Sequence, residues 1–414
     1  MKKARLLGTL AVIGTALASS SALAQKTTLT FWSWRPEDKA AYTQLIADFE
    51  RKNPDINVEY VAFEPTGYPT VLSTALAGGK GPDVMMVRAY GGLEQLAKAG
   101  YLEPLTKKFP ELNNFPPEAL AAETLRADKQ LYAVPFATQT LGLYYNKSIF
   151  AKNGLKAPQT WDDLLKAGAK LKAANIIPLA NGTKDAWQAE IMLGVFGPNV
   201  FGPEFIADVS TGKTDFEDVR FVNAIKQLQK LTPLFPQNFT GIDYTTAQQL
   251  FSSERAAMFA GGSFEMANFR NQNPNIQMDF IPAPALTAGG RRLVSMYGDG
   301  GYAVNAKTPN KAAALKFVQF TATRQFGQKF TDLLSNVSPM VGVTPKDPMV
   351  RNVILYNRNS VPYVMYVYFR YDNPTGSALL QPALQKVLAG SLTAEQAAKE
   401  VQQGMKSYFN PLKK

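Results

Sequence analysis

The stretch Leu131–Phe150, LYAVPFATQTLGLYYNKSIF, runs apolar through the middle of a 414-residue chain, yet it cannot form one ordinary element. Pro135 interrupts it, because proline fixes φ and brings no ladder donor. Before the break, Leu131, Ala133 and Pro135 alternate with Tyr132 and Val134; beyond it, Leu141, Leu143 and Tyr145 alternate with Gly142 and Tyr144. Each alternation fits a short strand. Between them sit Ala137, Thr138, Gln139 and Thr140, small or polar. A segment that leaves one buried sheet and enters another is what a two-lobed protein needs where its chain crosses, and polar side chains there would face a cleft. The other reading is a single long bent strand in one sheet.

A chain this long exceeds one ordinary core, so two lobes are expected. It contains no Cys and no His. That double absence excludes disulfides, thiolate nucleophiles, cysteine zinc sites, imidazole metal ligands and a Ser-His-Asp triad. Any catalysis would rest on carboxylates, Lys or Tyr, and no cofactor or metal is expected. The formal charge is +11, but its densest pairs are Lys107-Lys108, Arg291-Arg292 and Lys413-Lys414. Charge spread so thinly reads as solvated surface, and no nucleic-acid partner is expected.

Lys2, Lys3 and Arg5 precede an apolar run from Leu6 to Leu17, and Ala22-Leu23-Ala24 offers a small-x-small cleavage site before Gln25. Residues 1–24 therefore read as a secretory signal peptide. No cysteine follows the cleavage site, so the expected product carries no lipid tether and is released into a periplasm.

Strand and helix patterns then alternate. Thr28–Trp32 reads as a strand, Glu37–Lys52 as a helix with Tyr42, Leu45, Ile46 and Phe49 on one face, and Ile56–Ala62 as a strand. A helix over Tyr68–Ala77 leads through Gly81-Pro82 into the all-apolar strand Val84–Val87, and Gly92–Lys98 is helical. Past the crossing, Thr160-Trp161-Asp162-Asp163 opens a helix with a capping box, and Ile176–Ala180 is a strand. Helices over Asn223–Leu231 and Thr245–Ser253 precede a strand over Ala256–Ala260, a tight turn at Gly261-Gly262 and a short helix over Ser263–Asn271. Gly300–Asn305 reads as a strand, Thr308-Pro309 opens a helix, and Thr393 with Gln396 caps the last one. The expected class is α/β.

Aromatic residues gather where strands are expected to give way to loops: Trp34, Tyr68, Tyr90, Trp187, Phe264, and Tyr297 before Gly298-Asp299-Gly300-Gly301. Open α/β sheets bind ligands at such ends. Aromatic faces stack on the C–H faces of sugar rings, and planar groups such as Gln139, Asp299 and Arg88 bridge neighbouring hydroxyls.

LTFWSW, LIADFERKNPDINVEYV, GKGPDVMMV, the crossing segment followed by APQTWDDLL, ERAAMFAGGSFEM and GDGGYAVNAKTPNKAAALKFVQF occur in that order over nearly the whole mature chain. In these the chain resembles the extracellular solute-binding proteins of bacterial ABC transporters, in the sugar-binding group that includes the maltose-binding protein. The resemblance implies a two-lobed periplasmic binding protein fold. The first lobe would be 26–137 plus 284–334 and the second 138–283 plus 335–414, with a carbohydrate held between them and passed to a membrane permease, without catalysis and by a monomer. Carried over by position, Trp34 and Tyr68 fall on first-lobe loops, Arg88 and Tyr90 beyond the GPDV strand, and Gln139 at the crossing. Trp187 falls at a second-lobe aromatic position, and Phe264 stands where the family commonly has Trp. Asp299 and Arg370 complete the expected set.

Two other functions stay open at this stage. Asp83, Glu64, Asp299 and Asp372 would be available to a secreted glycosidase, although no spacing marks an acid and nucleophile pair and Asp83 reads as a turn and capping residue. Tyr363–Tyr371, YVMYVYFRY, reads as an extended segment packed on the second lobe; its phenols with Arg370 would also suit ferric iron or an anion.

Overall fold

The computed structural model describes residues 26–413, and the expected signal peptide lies outside them. No described helix is long and apolar enough to cross a membrane. Nine strands run β1 (Thr27–Ser33), β2 (Ile56–Ala62), β3 (Val84–Arg88), β4 (Val134–Asn146), β5 (Ile177–Leu179), β6 (Ala256–Gly262), β7 (Met278–Ile281), β8 (Val294–Val304) and β9 (Ser360–Pro362). Hydrogen bonding links them in the order β2-β1-β3-β8-β4-β6-β5, with β7 also on β4 and β9 on β8. Around them pack two lobes. One hydrophobic cluster holds Phe31, Tyr42, Phe49, Met85, Phe136, Tyr302 and Phe317. Two others hold Phe150, Trp161, Leu193 and Phe205, and Tyr144, Phe251, Phe269 and Phe280.

The crossing is one unbroken strand that belongs to two sheets. Val134–Thr140 pairs antiparallel with Tyr302–Met296 of β8, while Leu141–Tyr145 pairs with Gly262–Met258 of β6 and Leu143–Asn146 with Ile281–Met278 of β7. Pro135 does not break the strand; the register slips on either side of Ala137, and a bulge is where a strand tolerates proline. Gln139 and Thr140, polar residues expected to face a cleft, are fully buried.

Most local expectations match. The helix Lys39–Lys52 buries Tyr42, Leu45, Ile46 and Phe49, and its expected first turn forms a 3-10 turn instead at Pro36–Asp38. Val84 to Val87 are buried, as in a strand covered on both faces. Thr160 with Asp163 and Thr393 with Gln396 form the capping boxes.

Glycine misled the reading in two places. Gly261 and Gly262 lie in β6 and make no turn; a Cβ on Gly262 would fall 2.0 Å from the Phe264 ring, so close packing demands glycine there. Tyr297 to Gly301 lie inside β8, where a Cβ on Gly300 would meet the Val87 carbonyl at 2.0 Å. Asp83 is not a turn or helix cap. It accepts hydrogen bonds from the Thr30 amide and hydroxyl at 2.8 and 3.1 Å, from Asn310 Nδ2 at 3.2 Å and from Thr308 Oγ1, tying β1 to the loop after β8. The helix expected from Thr308-Pro309 begins at Lys311, and the strand Ser360–Pro362 ends before the tyrosine-rich segment Tyr363–Tyr371, none of which is strand. Tyr363–Arg370 folds as turns, with the Tyr366 amide donating to the Tyr363 carbonyl at 3.0 Å.

Candidate functional site

Where the lobes face each other a cavity of about 250 Å³ is lined from both sides. From one side come Trp34, Arg35 and Glu37 just past β1, Thr66 before the helix Tyr68–Ala77 and Arg88 at the end of β3, while β8 contributes Tyr297 and Asp299. Opposite them stand Trp187, Glu190 and Ile191 on the helix Trp187–Phe196, Tyr244 at the start of the helix Tyr244–Ser252, and Phe264 after β6. Tyr363, Tyr366 and Arg370 join them from the turns after β9, and Gln381 from the helix Gly376–Leu388.

Three groups organise the walls. Arg88 lies with its guanidinium carbon 3.9 Å from the Trp34 ring centre and donates to Asp299 Oδ1 at 2.6 Å. Gln139 Nε2 donates to the other carboxylate oxygen at 3.1 Å and Gln139 Oε1 accepts from Ser263 Oγ at 2.7 Å, so the Ser263 hydroxyl steadies Asp299 through Gln139. Burial works against the Arg88 charge, but Asp299 and neighbouring phenols more than restore it.

Arg35 pairs with Asp38 at 2.5 Å and Glu37 at 3.1 Å, and donates across the cleft to the Phe264 carbonyl at 3.2 Å. Burial raises the Asp38 pKa to about 6 despite the Arg35 charge. Trp187 meets Tyr244 edge to face, with ring centres 4.6 Å apart, and its Nε1 donates to Thr66 Oγ1 at 3.3 Å, a second contact between lobes. Behind them Glu265 accepts from Tyr244 Oη at 2.5 Å and from Gln248 Nε2 at 2.8 Å; burial outweighs both and raises Glu265 to about 7.

Arg370 sits 4.0 Å from the Tyr366 ring centre and donates to Ser377 Oγ at 3.1 Å. Ser377 in turn donates to Glu190 at 3.0 Å, and Gln381 donates to its other oxygen at 2.6 Å. Burial raises the Glu190 pKa against the opposing pull of Arg370. Burial also raises the phenols of Tyr297, Tyr363 and Tyr366 above the ordinary phenol range.

Of the residues expected from sequence, Trp34, Arg88, Trp187, Phe264, Asp299 and Arg370 line this cavity, and Tyr68, Tyr90 and Gln139 do not. Tyr68 is buried, its hydroxyl donating to the Met86 carbonyl at 2.8 Å. Tyr90 Oη accepts from the Gly298 amide at 3.1 Å. Of the four carboxylates considered for a glycosidase, only Asp299 reaches the cavity. Sequence reasoning missed Arg35, Glu37, Thr66, Glu190, Tyr244 and Gln381. No spacing marks them, although Arg35 and Glu37 stand beside Trp34 in a stretch already singled out.

The family described as bacterial extracellular solute-binding protein matches residues 33–325. The multiple sugar-binding protein of Streptococcus mutans is 27% identical over 369 residues, which cover 84% of this chain and 86% of that one. Among solved structures, a chitin oligosaccharide binding protein superposes with a TM-score of 0.79 at 24% identity, covering 93% of this chain and all of the other. AcbH, a bacterial solute receptor described as having an exclusive preference for β-D-galactopyranose, superposes at 0.81 with 19% identity over the same shares.

Proposed function

Because this chain belongs to the bacterial extracellular solute-binding proteins, we propose that it captures a saccharide between its lobes and presents it to the permease of an ABC transporter. The observation that carries this reading is the cavity itself, with a guanidinium laid over a buried indole on one wall, an indole and phenol pair on the other, and fixed carboxylates and guanidinia between. The half-buried Trp187 ring suits the C–H face of a pyranose, and Asp299, Glu190 and the arginines supply the acceptors and donors that hydroxyls need. At about 250 Å³ the space suits one or two rings.

In this reading Trp34, Arg88, Trp187, Phe264, Asp299 and Arg370 touch the ligand. Gln139 orients Asp299, Tyr68 buttresses the strand ends beneath Trp34, and Tyr90 fixes β8 through Gly298. The first lobe comprises 26–137 with 284–334, and the second 138–283 with 335–414. The protein works as a periplasmic monomer released by signal cleavage and performs no catalysis; the ion-paired state of Asp299 supports this, since a carboxylate held by Arg88 and Gln139 is a poor nucleophile.

Calorimetric titration against a panel of neutral mono- and disaccharides tests the proposal. Saturable heat with at least one saccharide, accompanied by a change in tryptophan emission, is the expected result. Silence across the panel would overturn it.

A further inference from the structure

Three arginines and three acids line the cleft, yet the two signs do not meet a guest on equal terms. Asp299 and Glu190 are 2% and 1% exposed, and both oxygens of each are already taken, by Arg88 and Gln139 in the one case and by Ser377 and Gln381 in the other. Arg35 is spent as well, being 6% exposed and bound to Asp38, Glu37 and the Phe264 carbonyl. Arg88 and Arg370 differ from it. Both are only half-buried, and among the described residues each guanidinium makes one protein hydrogen bond, Arg88 through a terminal nitrogen to Asp299 and Arg370 through Nε to Ser377. The remaining N–H groups of each fork have no protein acceptor.

The two forks converge on one phenol. Arg370 lies 4.0 Å from the centre of the Tyr366 ring, and Tyr366 Oη donates at 2.9 Å to the backbone carbonyl of Asp299, the residue that anchors Arg88. Both guanidinium charges act on that phenol, which itself lines the cavity. Two partly open arginines whose neighbouring acids are buried and saturated make a receptor for a planar anion, because a guanidinium fork matches a carboxylate in shape as well as charge. Resting on the reading that the cleft takes a saccharide, we propose that the ligand is an acidic sugar, a hexuronate whose carboxylate is held between Arg88 and Arg370. One negative charge suits the setting better than the two of a phosphate monoester, since Glu37, Glu190 and Asp299 border the same space.

Calorimetry on the wild type tests this with D-galacturonate and D-glucuronate beside three comparisons for each: the neutral parent hexose, the methyl ester of the uronate, and a phosphate of the hexose. At least one uronate is expected to bind at least tenfold tighter than its parent and its methyl ester, with the margin shrinking as salt screens the charge. In Arg370→Gln the uronate and its parent are expected to come within twofold of each other; should that variant fail to fold, the methyl ester carries the test, since it removes the charge and leaves the protein unaltered. The inference is overturned if the uronates bind no tighter than parent or ester, if a hexose phosphate binds tighter than the uronate, or if Arg370→Gln keeps the preference. Binding of the neutral parents without preference for the uronates would overturn this inference and leave saccharide capture standing, whereas no heat from any of these sugars would count against both.

Discussion

At the level of single residues, the cleft divides into side chains that would meet a guest and side chains that hold those in place. Trp187 is half-buried and free to present its face, so Trp187→Ala is expected to weaken saccharide binding about two- to tenfold, from the ~0.5–1.5 kcal/mol an aromatic contact adds beyond its area, while the melting temperature of the empty protein stays within a few degrees. Gln139→Ala should behave differently. It strips buried partners from Asp299 and Ser263, so it is expected to lower both affinity and stability, the latter by ~1–3 kcal/mol in denaturant titration. Protonation belongs at this scale too. Burial raises Glu265 to about 7 and Asp38 to about 6, so the folded protein holds protons there that the unfolded chain has already lost. Their stabilising contribution is complete below about pH 4, where both states are protonated, and is lost as pH rises through 6 and 7. Melting followed across pH 5 to 8 is expected to fall, and Glu265→Gln to flatten the fall; an unchanged slope in the variant would remove Glu265 from the account.

Among the elements, periodicity made the helices and the first-lobe strands legible, because a stripe such as Tyr42, Leu45, Ile46 and Phe49 has one way to be buried. Extended segments dense in glycine were misread. The glycines of β6 and β8 are there for the close approach of a ring or a neighbouring carbonyl, which is a tertiary fact with no local signal. For the same reason six of the expected site residues reach the cleft while Glu190, Tyr244 and Gln381, which come from three helices distant in sequence, could not be anticipated. Gly300→Ala tests this physical reading. Its Cβ would collide with the Val87 carbonyl and press on Trp34 at 3.1 Å, so the variant is expected to lose at least ~1–3 kcal/mol of stability and to bind saccharide more weakly.

For the molecule as a whole, the lobes touch through the Thr66 hydroxyl and the Trp187 indole, and through Arg35 and the Phe264 carbonyl. Thr66→Ala removes one of these contacts at an exposed position and is expected to speed saccharide release a fewfold in stopped-flow fluorescence, matching the ~0.5–1.5 kcal/mol of a single hydrogen bond, without altering the fold. Because β4 is shared between two sheets, neither half of the molecule is a finished object without the other. A gene cut at the midpoint of that strand would yield two fragments, each missing the ribbon that completes its own sheet, so separate expression of the halves should give insoluble product, and any successful splitting of this protein must place its break in a peripheral loop instead.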